Sequence, residues 1–203
     1  MYAGEAENAN NTGEVSGNSA NMKKGTVNKL YGGHTFGTGA VKDNIVNFSG
    51  GTATDYVAGA YVDNTANAAD VTGNKVVFTG GTADVVEGGA GKGAGALKNN
   101  TVTFSGAGST ADTLRGANSE GQGLVEENGV TIAAGTAARA YGAVTDGTGI
   151  ARKNYVTVSG GTVNTEIAGG VGYNVTANAV TISGGTVGGN VYGGKSSGPG
   201  SST

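Results

Sequence analysis

Residues 154–163 read NYVTVSGGTV, and residues 178–187 read NAVTISGGTV. In both, an asparagine opens a stretch whose apolar residues fall two apart: Val156 and Val158, then Val180 and Ile182. That spacing puts both side chains on one face of an extended strand and leaves Thr157 and Thr181 on the other. A Ser-Gly-Gly turn follows, and then a threonine that begins a second extended segment. The same unit recurs at Asn18, Asn44, Asn74, Asn100 and Asn128, so that with Asn154 and Asn178 there are seven copies, at steps of 26, 30, 26, 28, 26 and 24 residues. Four positions after each asparagine stand Met22, Phe48, Phe78, Phe104, Ile132, Val158 and Ile182. The threonines form a second column: Thr26, Thr52, Thr82, Thr110, Thr136, Thr162 and Thr186. The second segment closes on an apolar residue, any residue, then glycine, as in Leu30-Tyr31-Gly32 and Val191-Tyr192-Gly193. A glycine-rich loop of variable length comes next. A third short segment, anchored at Val15, Val41, Val71, Leu97, Val125, Ile150 or Ala151, and Val175, leads back to the next asparagine.

A unit this small cannot bury its apolar face alone, but stacked copies can. No window has a helical period, and 42 glycines in 203 residues are too dense for stable helices. The fold expected is therefore all-β: a parallel β-solenoid of about seven coils, each of 24–30 residues with three short strands. It occupies residues 1–194, with a partial coil over 1–17, and a flexible tail follows over 195–203. Seven rungs make a rod on the order of 35 Å long. The asparagine column suits a sharp bend, because Asn tolerates the left-handed conformation, and stacked side-chain amides can bond to one another as a ladder. The threonine column reads as a hydroxyl ladder or a set of turn hydrogen bonds.

Composition narrows the function classes. The net charge is −3 and no basic cluster exceeds Lys23-Lys24, which argues against a nucleic-acid partner. Without cysteine there is no disulfide framework, thiolate metal site or cysteine nucleophile. No apolar run approaches the ~18 residues of a membrane helix, so membrane insertion of this segment is not expected. Residues 1–5, MYAGE, have no basic start and no apolar stretch and do not read as a secretory leader.

The unit NxVTxSGGTVxxxVxGG, clearest at 154–170 and 178–194, resembles the repeats in the passenger regions of bacterial autotransporter (type V secreted) surface proteins. The resemblance covers nearly the whole chain, but it is a repeat style and carries no catalytic motif. It implies a right-handed β-helix at the bacterial surface or outside the cell, acting as an adhesin, with a host surface or a carbohydrate as ligand. The family's C-terminal membrane barrel needs many alternating strands of ~10 residues, which these residues do not supply.

No catalytic, cofactor-binding or metal-binding residue is assigned. Residues 189–196, GNVYGGKS, match the phosphate-loop pattern, but the helix that such a loop must open does not follow. Residues 88–95, GGAGKGAG, fall in the variable loop of a coil. His34 is the only histidine and is expected in the loop after a second strand, without the partners that a metal site or a general base needs. Glu126 and Glu127 precede a bend, with Lys98, Arg152 and Lys153 at equivalent positions of neighbouring copies, and read as charge pairing between coils. Tyr31, Tyr141 and Tyr192 share the outward middle position of the second segment, with Tyr2 in the same phase, and are a candidate contact surface. The function expected is a non-enzymatic extracellular structural or adhesive solenoid. The first alternative is a subunit stacking head to tail into a filament, since MYAG at the start and VYGG near Gly194 stand at nearly the same phase of the coil. A polysaccharide-active enzyme on the same fold ranks below it, because clustered carboxylates along one face are not evident.

Overall fold

The computed structural model describes residues 1–146 and 148–197. It is an all-β parallel solenoid with no helix among the described residues, and its strands form three sheets. The long sheet holds Tyr2–Ala6, Thr26–Thr35, Thr52–Val62, Thr82–Gly91, Thr110–Ser119, Thr136–Thr145 and Thr162–Gly172, closed by Thr186–Val187 and Asn190–Ser196 side by side in the last coil. The middle sheet stacks seven four-residue strands from Ser19–Met22 to Ala179–Ile182. The narrow sheet stacks seven strands of two or three residues, from Val15–Ser16 to Asn174–Thr176.

Registers between coils follow the columns of the sequence. Val102 lies on Val76 and Val130, and Phe104 on Phe78 and Ile132. Their period of two turns these side chains inward, where Phe48, Phe78 and Phe104 stack with ring centroids 4.5 and 5.2 Å apart. Two apolar clusters fill the rod. One lies between the middle sheet and the first half of the long sheet, around Leu30, Val57, Val86, Leu114 and Ile167. The other lies between the narrow sheet and the second half of the long sheet, around Val41, Val62, Leu97 and Val125. Of the two candidate third-strand anchors Ile150 and Ala151, Ala151 takes the inward place in register with Val125, and Ile150 faces solvent.

The asparagine ladder divides the two clusters. Each side-chain Nδ2 donates to Oδ1 of the asparagine one coil on, without a break from Asn18 to Asn178, at 2.9–3.0 Å. The same Oδ1 also accepts the backbone N–H of the preceding asparagine, as from Asn74 to Asn100 at 3.1 Å. A second bond from Nδ2 reaches a narrow-sheet carbonyl one coil back, as from Asn100 to Val71 at 2.9 Å. With donors and acceptors paired, the amides of Asn44, Asn74, Asn100, Asn128 and Asn154 are fully buried at low cost.

The left-handed bend expected at the asparagine itself falls one residue earlier. Gly17, Asp43, Gly73, Asn99, Glu127, Lys153 and Ala177 have φ between 52° and 69°. The bend thus needs no particular side chain, and the asparagine is retained for its amide. The threonine column is in register throughout. Its hydroxyls make one ladder bond among the described residues, from Thr110 to Thr82 at 2.9 Å.

The second strand is longer than its sequence suggests. Gly32 and its counterparts do not end it, because the strand continues for three residues beyond them and carries His34, which therefore lies in a strand and not in a loop. The glycine is needed for close approach: a Cβ on Gly88 would stand 2.5 Å from Gly116 O and 2.5 Å from Thr101 N. The next column, Gly33, Ala60, Gly89, Ala117, Ala143 and Gly170, stays small because it faces the ladder; a Cβ on Gly33 would come 2.5 Å from Asn44 Nδ2. At the C-terminal side, Lys195 and Ser196, assigned to the tail by sequence, belong to the strand Asn190–Ser196. Residues 198–203 of that tail lie outside the described residues.

Candidate functional site

Two successive small residues facing inward fold the long sheet about its midline, so the outward side chains on either side of them converge. In Thr26–Thr35 these are Tyr31 and His34, whose rings stack 5.0 Å apart. Repeated in every coil, this fold makes a trough along the outside of the rod. Coil-to-coil register assigns its lining. One column runs Tyr2, Tyr31, Ala58, Glu87, Arg115, Tyr141, Ala168 and Tyr192. The column across the fold runs Glu5, His34, Tyr61, Ala90, Asn118, Val144, Val171 and Lys195. On the near wall are Lys29, Tyr56, Val85, Thr113, Arg139 and Glu166.

The trough is aromatic in its first coils. Tyr2 stacks on Tyr31 at 5.4 Å and nearly parallel; Tyr31 touches Tyr56 and Tyr61 at 5.8 and 5.6 Å; Phe36 meets the edge of His34 at 4.7 Å. Four of the eight tyrosines and the single histidine thus form one patch. The rings cover one another unequally: Tyr2 is 45% exposed and Phe36 37%, but Tyr31 only 4%. Tyr31 therefore points outward as its sequence position indicates, yet it underlies its neighbours and is no free contact residue. Burial, then the neighbouring phenols of Tyr61 and Tyr2, holds its phenol above the ordinary value. His34 Nδ1 lies 3.2 Å from Glu5 Oε1. Burial depresses the imidazole, more than Glu5 raises it, so the ring is a neutral donor to that carboxylate.

The later coils are charged. Arg115 Nη1 donates to Glu87 Oε1, and Glu87 is wholly buried, with burial pushing its carboxyl up to about 7 against the opposing effect of Arg115. Arg139 pairs with Asp112 at 3.0 Å, and Lys195 with Glu166 at 2.7 Å. Tyr141 donates to Glu166 at 3.1 Å; burial, then that carboxylate, raises the phenol to about 12. Tyr192 is half-buried, with Lys195 Nζ 5.4 Å from its ring centroid. Tyr2, Tyr31, Tyr141 and Tyr192 share one column, but Ala58, Glu87 and Arg115 separate the first two from the last two.

Elsewhere, Glu126 pairs with Arg152 and Lys153 at 2.9 and 3.3 Å, and Glu127 with Lys153 at 3.6 Å, the inter-coil pairing expected of those positions. Most of the phosphate-loop match lies in the extended strand Asn190–Ser196, where Lys195 is engaged by Glu166, so the backbone offers no loop around an anion. Sequence reasoning missed Tyr56, Tyr61, Phe36, Glu87, Arg115 and Asn118. Glu87 and Arg115 stand in the column of Tyr31 but change residue type from coil to coil, and Tyr61 and Asn118 lie past the glycine, where only the continuation of the strand brings them beside that column. The one available signal is the crowding of Tyr31, His34, Phe36, Tyr56 and Tyr61 into 31 residues. In comparisons of the chain with protein-family models, curated proteins and solved structures, nothing matches.

Proposed function

We propose that this chain is a non-enzymatic, extracellular structural solenoid that adheres through the trough of its long sheet, in the manner of the autotransporter passenger segments its repeat resembles. The aromatic patch of the first coils carries the reading. Tyrosines give broad contact area and a polar handle at little entropic cost, and here they sit on a backbone fixed by two sheets and a buried ladder. The adhesive reading is favoured over the enzymatic one by what surrounds the carboxylates. Glu87, whose pKa suits proton transfer, has no exposed surface with which to meet a substrate, and Asp112 and Glu166 are each held by a cation.

Beads coated with the folded chain test this reading. They should attach to cell monolayers or to immobilised cell-surface extract, and Tyr56→Ser combined with Tyr61→Ser should reduce attachment several-fold at an unchanged melting temperature. Attachment no better than that of bare beads would refute it.

A further inference from the structure

Tyr2 and Tyr31 are register partners in adjacent parallel strands, Tyr2–Ala6 and Thr26–Thr35, so their side chains leave the long sheet on the same face. Their rings lie 5.4 Å apart between centroids and within 6° of parallel. His34 stacks on both, at 4.9 and 5.0 Å, and holds the pair together. Access to the two is unequal: Tyr2 is exposed and Tyr31 is buried beneath its neighbours. The strand Tyr2–Ala6 pairs on one side alone, so the ring of Tyr2 has room to tilt on its open side. Among the described residues, Tyr141, Tyr155, Tyr173 and Tyr192 stack on no other ring, which confines such pairs to this patch.

We infer that Tyr2 and Tyr31 form a site of oxidative modification, at which a peroxidase with hydrogen peroxide joins them as an intrachain dityrosine. The oxidant meets the exposed phenol of Tyr2 and removes one electron and the phenolic proton, leaving a phenoxyl radical. Ring contact lets that radical draw an electron from Tyr31, which the oxidant cannot touch. Tyr31 releases its phenolic proton, Tyr2 regains one, and the oxidant then oxidises Tyr2 again. Each phenoxyl carries part of its unpaired spin on the carbons ortho to oxygen. A C–C bond forms between one ortho carbon of each ring, and the two ortho hydrogens move to the phenolic oxygens as the rings regain aromaticity. The pair loses two hydrogens in all; hydrogen peroxide takes up both electrons and both protons and becomes two waters. The product closes the chain from residue 2 to residue 31 and fastens the strand Tyr2–Ala6 covalently to the next coil, so that the strand can no longer peel away freely.

The inference goes beyond the adhesive reading and does not depend on it. Treating a dilute solution of the full chain with a haem peroxidase and hydrogen peroxide tests it. The monomer should gain dityrosine fluorescence and lose two hydrogens in mass, with one cross-link joining the peptides that carry Tyr2 and Tyr31. Tyr2→Phe, which keeps the ring and the stack, should lower the yield of dityrosine in the monomer at least tenfold, and Tyr155→Phe on the middle sheet should leave it unchanged. Amide hydrogen exchange across residues 2–6 should slow at least tenfold in the cross-linked monomer. A monomer without dityrosine, dityrosine found only between chains, or equal yield in Tyr2→Phe from a link such as Tyr56 to Tyr61 would overturn the site. Unslowed exchange in the linked monomer would overturn the fastening of the strand.

Discussion

The Asn100 side chain makes four hydrogen bonds: it accepts from the backbone and side chain of Asn74 and donates to Asn128 Oδ1 and Val71 O. Truncation strips partners from buried groups on both neighbouring coils. Asn100→Ala should cost about 1–3 kcal/mol in urea midpoints. Thr103→Ala, on the solvent face of the same coil, should stay within about 0.5 kcal/mol. Asn100→Asp should be worse than the alanine variant, since a carboxylate cannot donate to Val71 O and sets oxygen against Asn128 Oδ1. One residue before the ladder, Ala177 is exposed and held at φ 52°, where a Cβ is strained and glycine is not. Ala177→Gly should therefore stabilise the chain, by up to about 1 kcal/mol after the greater freedom of the unfolded glycine chain is allowed for.

At the scale of the strand, the glycine column fixes how closely coils approach at the fold of the long sheet. Gly88→Ala would drive a Cβ into the backbone of two neighbouring segments, neither of which can rotate away. It should cost at least about 3 kcal/mol or prevent folding, as severe overpacking does. Gly108, where an added methyl would meet nothing within 4 Å and the backbone is ordinary, should accept alanine almost unchanged; thermal melts of the pair separate a packing requirement from a general need for glycine. Both residues look alike in sequence, and that is where reading the chain fails. The middle and narrow strands were legible, because Val102 and Phe104 or Val125 recur at fixed offsets from an asparagine. The long strand was not, because a glycine pair reads as a turn when it is a bend within a strand. The trough follows from that bend. Its lining changes from Tyr31 to Ala58 to Glu87 to Arg115 up one column, so no periodicity marks it, and between Ala53 and Tyr56 an irregular register obscures the alignment further.

For the molecule as a whole, the buried Glu87 couples stability to pH. Its carboxyl titrates at about 7 in the fold against an ordinary 4.5, so the folded chain holds a proton that the unfolded chain has released. The stabilisation is complete below about pH 4.5 and disappears as pH rises to about 7, a change on the order of 3 kcal/mol. His34, depressed by burial, acts in the opposite sense as pH falls through its ordinary 6.5. The difference in stability between the parent chain and Glu87→Gln isolates the carboxyl: it should vary across pH 5–7 and be flat above pH 8. A difference independent of pH would show that Glu87 stays ionised. The unbroken run of amide bonds from Asn18 to Asn178 also has a mechanical meaning. Strands Tyr2–Ala6 and Asn190–Ser196 lie on opposite end coils, so tension applied through them loads one end rung at a time and not all rungs in shear. Each rung yields with one ladder link, and in mid-array it releases 26–28 residues, roughly 90–100 Å of contour. Under an optical trap the rod should lengthen in near-equal steps, as a spool that unwinds turn by turn.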